Sequence, residues 1–370
     1  MSKIPESAHK KKRELQMEDK SLGKLGYDEW IQDINDEYIK DDFSLARVIE
    51  VNKNSYIVSD GRHEMLAELS GKFIFDAEGT TVFPTVGDWV AIQAIDNYTL
   101  AIVHSVLPRK TLLKRKEPGK RIDFQLIASN IDFGLVVQSA KHLNFNLLDR
   151  YFVMLNESRI QPISVFSKID LLSSSELATL KSNLSKLRYQ YLLISNIADR
   201  GVEELSNRLI PGKTYCLLGQ SGVGKTSLLN SLLRTKVLKV NEVREKDGKG
   251  RHTTARRQLI CLDSGSIFID TPGMRELGNF EIEDGLDQTF EEFSSYTPKC
   301  RFRDCTHTNE EGCAVIEAVK KGEIEKKRYK NYLKLNRESE FYEMLYHEKR
   351  KKDKSFGKML KNYKKNTRKN

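Results

Sequence analysis

The stretch TYCLLGQSGVGKTS, residues 214–227, constrains this chain more than any other. Gly219, Gln220, Ser221, Gly222, Val223, Gly224, Lys225 and Thr226 fit the phosphate-loop pattern G-x-x-x-x-G-K-[ST] at every position, and Ser227 follows. Successive backbone N–H groups must close around phosphate oxygens, so side chains at Gly219, Gly222 and Gly224 would obstruct them. A helix starting near Lys225 points its positive end at the anion. Lys225 is placed to reach β- and γ-phosphates, and the Thr226 hydroxyl to bind Mg²⁺. The apolar run Tyr215–Leu218 before the loop and the helical LLNSLL after it supply the strand–turn–helix context the motif needs.

Around this unit, residues 130–270 alternate between strand and helix patterns. IDFGLVVQ, PISVFS, YQYLLIS, RQLICL and SIFID read as strands; NLLDRYFVMLNES, SSSELATLKSNLSKL and GVEELSNRL read as helices. This is an α/β pattern with a mostly parallel sheet, which binds ligands at the carboxyl ends of its strands. Three further motifs fall at such ends. Ser167-Lys168-Ile169-Asp170 follows one strand: Asp170 can accept from N1–H and the 2-amino group of guanine, and the Lys168 stem can cover a base plane. A helix N-cap is the alternative reading of Asp170. Ser195, with Asn196, ends the next strand and offers backbone donors for the base O6. Asp270-Thr271-Pro272-Gly273 ends SIFI: the acid suits Mg²⁺ through water, and the Gly273 N–H a γ-phosphate. Between phosphate loop and Asp270 lies GKGRHTTARRQ, residues 248–258, a glycine- and threonine-bearing loop able to order around Mg²⁺ and phosphate, with Thr253 or Thr254 as the metal-sensing residue.

At 370 residues the chain has room for more than one domain. Residues 1–41 are a polar extension with Tyr27, Trp30, Ile31 and Ile34 at helical spacing. Residues 42–112 hold SLARVIEV, SYIVSD, HEMLAEL, DWVAIQAI and TLAIVHSVL between turn signals, the pattern of a five-stranded OB-fold barrel, either nucleic-acid-binding or purely structural. A basic linker closes it, residues 113–125 with Arg109 and Lys110 just ahead, either a solvated loop or a phosphate-backbone contact. The α/β domain runs over 113–290 and a further domain over 291–348. The latter carries Cys300-x₄-Cys305-x-His307-x₅-Cys313, a Cys₃His set suited to one closed, structural Zn²⁺ site. Cys216 and Cys261 lie in strands and read as small core residues. After Gly322 the pattern is helical, with Tyr329, Tyr332, Leu333 and Leu335 as its apolar stripe. The tail from Lys349 to Asn370 has eleven Lys/Arg and one acid, and a net charge of +10 for the whole chain favours a polyanionic partner. No apolar run approaches the length of about 18 residues that spans a membrane, and MSKIPESAHKKKREL lacks a signal-peptide core, so a cytoplasmic location is expected.

The order of these motifs is rotated. GTPases usually run phosphate loop, switch threonine, D-x-x-G, base-reading [NT]-K-x-D, then S-A; here Ser167–Asp170 and Ser195 come first and D-T-P-G last. With a barrel before and a Cys/His cluster after, residues 42–345 resemble the small ribosomal subunit maturation GTPases of the RsgA/YjeQ type, circularly permuted GTPases. G-x-G-R-H-T-T beside D-T-P-G carries the resemblance most specifically. It implies an N-terminal OB-fold, a permuted P-loop GTPase domain and a zinc-binding helical domain. It also implies hydrolysis of GTP to GDP stimulated by the small (30S) ribosomal subunit, binding of its rRNA in late assembly, and Mg²⁺ with the nucleotide. A monomer is expected. Two departures stand out. Ser167 replaces the family's asparagine and is shorter, which puts its contacts to base and phosphate loop in question. Met274 stands where Ras-like enzymes place a water-orienting glutamine, and His252 matches the histidine suspected of that role, or is an exposed loop residue. Rival readings are an NTPase of relaxed base choice acting on another RNA, and an RNA-binding scaffold with a vestigial site.

Overall fold

The computed structural model describes residues 21–39, 42–52, 55–116, 124–185, 190–195, 197, 200–234, 257–270 and 284–339. The expected N-terminal helix is α1 (Glu29–Tyr38), whose Ile31 N–H donates to the Asp28 carboxylate at 3.2 Å. Ile31 is buried with Leu25, Leu45, Trp89 and Leu107, and Tyr27, Trp30 and Ile34 pack against the same cluster. The five expected short strands follow: β1 (Ser44–Val51), β2 (Tyr56–Ser59), β3 (Glu64–Leu69), then a short helix α2 (Gly71–Asp76), β4 (Trp89–Ile95) and β5 (Leu100–Val106). Antiparallel pairs β1–β2, β2–β3, β4–β5 and β1–β4 with the parallel pair β3–β5 close an OB-like barrel. Alternation decides which face is inside: Met65 and Ala67 of β3 are buried, and Glu64, Leu66 and Glu68 are exposed. Ala46, Val48, Val58, Val90, Ile92 and Val103 complete the filling.

Much of the basic segment is strand rather than loop. β6 (Leu112–Lys116) and β7 (Phe124–Ser129) form a two-stranded sheet of their own, and the intervening 117–123 lie outside the described residues. Arg109 makes a two-pronged ion pair with buried Asp88, Nε to Oδ1 at 2.8 Å and Nη2 to Oδ2 at 2.7 Å, and Lys110 lies 3.6 Å from Asp132. These two cations serve the fold.

The α/β part contains β8 (Phe133–Ser139), α3 (Phe145–Glu157), β9 (Gln161–Ser167), α4 (Ser174–Leu184), β10 (Tyr191–Leu193), α5 (Val202–Arg208), β11 (Thr214–Leu218), α6 (Lys225–Leu233), β12 (Arg257–Cys261) and β13 (Ile267–Asp270). In space the strands run β10-β9-β8-β11-β13-β12. All pairs are parallel except β12–β13. β8 and β11 are buried along nearly their whole lengths, which is why FGLVV and YCLL are continuous apolar runs rather than alternating ones. Leu135, Val137, Val165 and Leu217 from the sheet pack with Val202, Leu205, Leu228 and Leu229 from α5 and α6.

β1 also pairs antiparallel with β12, Glu50 opposite Gln258 and Val51 opposite Arg257, so barrel and α/β sheet are one continuous sheet. Arg47 of β1 ties this unit from within. It is 1% exposed and donates to the Gly87 carbonyl (3.1 Å), the Asn130 carbonyl (3.2 Å), the Thr214 hydroxyl (3.0 Å) and the Leu25 carbonyl. Burial lowers its pKa to about 10 against the opposing pull of Asp132, so it remains charged at neutral pH.

A second compact unit comprises Arg115–Phe124, Phe152–Glu157 and Asn279–Asn370. Its described part includes α7 (Asp284–Thr289), α8 (Glu291–Ser294), α9 (Ala314–Lys321) and a helix over 326–339. Tyr332 stacks on Phe293 at 4.5 Å and meets Phe290 edge-on at 5.4 Å, so part of the predicted stripe is core.

Candidate nucleotide site and metal centre

The phosphate loop leaves the carboxyl end of β11. Gly219 has φ +137°, and a Cβ there would sit 2.2 Å from the Val137 carbonyl of β8, so only glycine lets the loop turn. Gly222 and Gly224 are also left-handed, at +77° and +95°. Gly224 is the N-cap of α6 and brings no side-chain cap, which suits an anion at that helix end. Gln220 and Ser221 are exposed, Val223 is buried, and Lys225, Thr226 and Ser227 form the first turn of α6. The Lys225 ammonium donates to the carbonyls of Gly219 (2.6 Å) and Gln220 (2.7 Å), so its charge lies over the loop.

The base-reading segment ends β9. Lys168 adopts φ +59°, and a short 3₁₀ turn, Ile169–Leu171, presents Asp170. Asp170 is not the cap of α4: Ser173 is, in a reciprocal capping box with Glu176. The Ser195 hydroxyl donates to the Asp170 carboxylate. The Ser195 N–H, expected to face a base O6, donates instead to the Arg200 carbonyl at 2.8 Å. Asn196 is outside the described residues.

Ser167 joins the two halves of the site. Its hydroxyl lies 2.6 Å from the Val223 carbonyl in the phosphate loop and 3.1 Å from the Gln138 carbonyl at the end of β8. The shorter side chain therefore keeps a direct tie to the phosphate loop. Only β8 separates β9 from β11, which sets their carboxyl ends about 10 Å apart, a distance one nucleotide bridges. Asp270 ends β13, the other neighbour of β11. Burial pushes its carboxyl above the ordinary range while Lys225 pulls it down. A half-buried carboxylate in that position suits a cation. His252, Thr253, Thr254, Gly273 and Met274 lie outside the described residues.

In the second unit the ligand atoms of Cys300, Cys305, His307 and Cys313 lie within 4.8 Å of one another. Zn–S bonds near 2.3 Å at tetrahedral angles put sulfurs about 3.8 Å apart. Cys300 Sγ is 3.9 Å from Cys313 Sγ, and His307 Nδ1 is 3.7 and 3.4 Å from those two sulfurs. The donor set and its spacing fit one four-coordinate ion bound through Nδ1. His307, at φ +58°, is held from behind: its Nε2 is 3.4 Å from the Thr297 hydroxyl, and the Tyr329 hydroxyl donates to its carbonyl at 2.6 Å. Sequence reading missed Thr297 and Tyr329, which no ligand spacing marks. Of the other cysteines, Cys216 is a core residue as expected, but Cys261 is exposed at the end of β12, with Sγ 3.4 Å from the Lys24 carbonyl.

A phosphate loop on β11, the fourth strand of the α/β part, with the base-reading segment before it in sequence and two strands away in the sheet, defines a circularly permuted GTPase. The profile of the RsgA GTPase family matches residues 106–280, and that of the 50S ribosome-binding GTPases matches residues 214–352. The small ribosomal subunit biogenesis GTPase RsgA 1 of Bacteroides thetaiotaomicron is 38% identical over 331 residues, 88% of this chain and 91% of that one. RsgA of Leptospira interrogans is 39% identical over 282 residues, 74% of this chain and 79% of its own. Among solved structures, YjeQ from Thermotoga maritima superposes with a TM-score of 0.63 at 29% identity, covering 80% of this chain and 98% of that one. YloQ, described as a circularly permuted GTPase, gives 0.61 at 26% identity, covering 80% and 95%. The chain belongs to the RsgA family of GTPases and is a GTP-hydrolysing enzyme. No described helix is long and apolar enough to cross a membrane.

Proposed function

We propose that this chain hydrolyses GTP to GDP as a late assembly factor of the small ribosomal subunit, its turnover stimulated by that subunit. The Ser167 tie to the Val223 carbonyl carries the nucleotide half of this reading, because it holds base-reading segment and phosphate loop in one site. In this reading Asp170 accepts from guanine N1–H and the 2-amino group, oriented by Ser195, and the Lys168 stem covers the ring. Gly219–Gly224 wrap the phosphates, and Lys225 moves from its loop carbonyls to the β- and γ-phosphates. Thr226, Asp270 and Thr253 or Thr254 would hold Mg²⁺, which supplies charge neutralisation at the phosphates. The Gly273 N–H meets the γ-phosphate, and His252 orients water. Cys300, Cys305, His307 and Cys313 would hold one structural Zn²⁺, which staples a segment with few apolar residues of its own.

The relatives' names support the ribosomal half. The composition supports rRNA as the surface bound: the basic tail after Lys349 and the lysines and arginines of 114–121 suit a phosphate backbone. We infer three modules, 42–112, 113–290 and 291–348, acting as a cytoplasmic monomer. The test is GTP turnover titrated with purified small subunits. A rise of about tenfold or more is expected; a flat response removes the ribosomal assignment.

A further inference from the structure

Guanine presents two edges. N1–H and the 2-amino group are donors, and N7 and O6 are acceptors. Asp170 serves the first edge in the reading above, on which this inference rests. The second edge needs donors from the protein, and among the described residues the Ser167 hydroxyl and the Ser195 and Ile169 N–H groups are engaged elsewhere. Ser167, the first residue of the base-reading segment, is fully buried. Its hydroxyl has a single proton. Its two close partners are both acceptors, the carbonyls of Val223 at 2.6 Å and Gln138 at 3.1 Å, so that proton is held inside the protein. The Ser195 N–H donates to Arg200 and the Ile169 N–H to Ile194 (3.3 Å). Gln138 commits its amide oxygen and one of its two amide protons to Asn144, accepting from that residue's N–H and donating to its carbonyl, each at 3.1 Å.

We propose that Ser167 is a positioning residue that locks the phosphate loop, and that this site selects guanine through its N1–H and 2-amino edge while leaving N7 unread. An amide side chain at position 167 has two donor protons, enough to keep one protein contact and offer another to N7. The hydroxyl has one and has committed it. The consequence is an unusual tolerance: replacing N7 by carbon removes an acceptor that Ser167 does not use.

The experiment is displacement of fluorescent GDP from the full-length protein with Mg²⁺ by GDP, 7-deaza-GDP, inosine diphosphate and ADP. We expect 7-deaza-GDP to bind within about twofold of GDP, and inosine diphosphate, which lacks the 2-amino group, about tenfold more weakly. A 7-deaza penalty of about fivefold or more, with GDP still preferred over ADP, overturns this inference and leaves the guanine reading standing. Equal displacement by GDP and ADP removes the guanine reading and this inference with it. In Ser167→Asn the ratio of 7-deaza-GDP to GDP affinity should worsen to about fivefold. Because the ratio is taken on one protein, a general weakening of the pocket does not move it. An unchanged ratio in that variant overturns the role given to Ser167.

Discussion

Lys225 and Asp270 are the two charged groups that lie at the carboxyl ends of β11 and β13. Lys225 hangs over the phosphate loop on two of its carbonyls, and Lys225→Ala should lower GTP turnover by about 10³-fold, measured as phosphate release. Asp270 is a half-buried acid whose partial desolvation raises its pKa above its ordinary 3.8, against the opposing pull of Lys225. Between the ordinary and the raised value the folded chain keeps a proton that the unfolded chain has lost. Stability therefore falls as pH rises through that window. Asp270→Asn removes the penalty: the nucleotide-free Tm should exceed wild type at neutral pH, and the gap should close in acid below the ordinary value. Turnover should fall by about 10²-fold in the same variant. A Tm below wild type at neutral pH would contradict this account of Asp270.

Elements differ in how visible they are from sequence. The phosphate loop was legible because strand, glycine turn and helix are contiguous, and the Cys₃His set because one short loop carries all four ligands. The barrel strands were legible as short β-rich runs between turn signals, and β3 also alternates, with Met65 and Ala67 inside. Ser167–Val223 was not, because the partners are 56 positions apart and joined only by the sheet order. Ser195 was misread in detail for a related reason: its N–H pairs across a bridge to Arg200, which no local pattern announces. Thr297 is equally silent in sequence, yet it backs His307. Thr297→Val should weaken zinc affinity by about tenfold, read by competition with a metal chelator. Stripping the metal altogether should expose 297–339 to protease while the phosphate loop still binds nucleotide. An unchanged cleavage pattern would mean that the four ligands do not hold the segment together.

One continuous sheet joins barrel and α/β part into a single unit. β1 closes the barrel on β4 and also pairs with β12, and Arg47 in the same strand bonds Leu25, Gly87, Asn130 and Thr214. Arg47→Met removes all four bonds, of whose acceptors the Gly87 carbonyl still accepts from the Asn130 amide at 3.0 Å, and should cost about 3 kcal/mol, seen as a lower urea midpoint. In the proposed site Asp170, which precedes the phosphate loop in sequence, reads the base of the same nucleotide that Lys225 holds by its phosphates. Xanthine carries a carbonyl where guanine carries its 2-amino group. An amide at 170 would accept from N1–H and donate to that carbonyl, whereas the carboxylate accepts only. The decisive measurement is displacement of labelled GDP, or its xanthosine analogue, by GTP and xanthosine triphosphate in wild type and Asp170→Asn. The account predicts that GTP is favoured by wild type and xanthosine triphosphate by the variant, a reversal of about 10²-fold or more in their affinity ratio. An affinity ratio that stays the same in both proteins would contradict it.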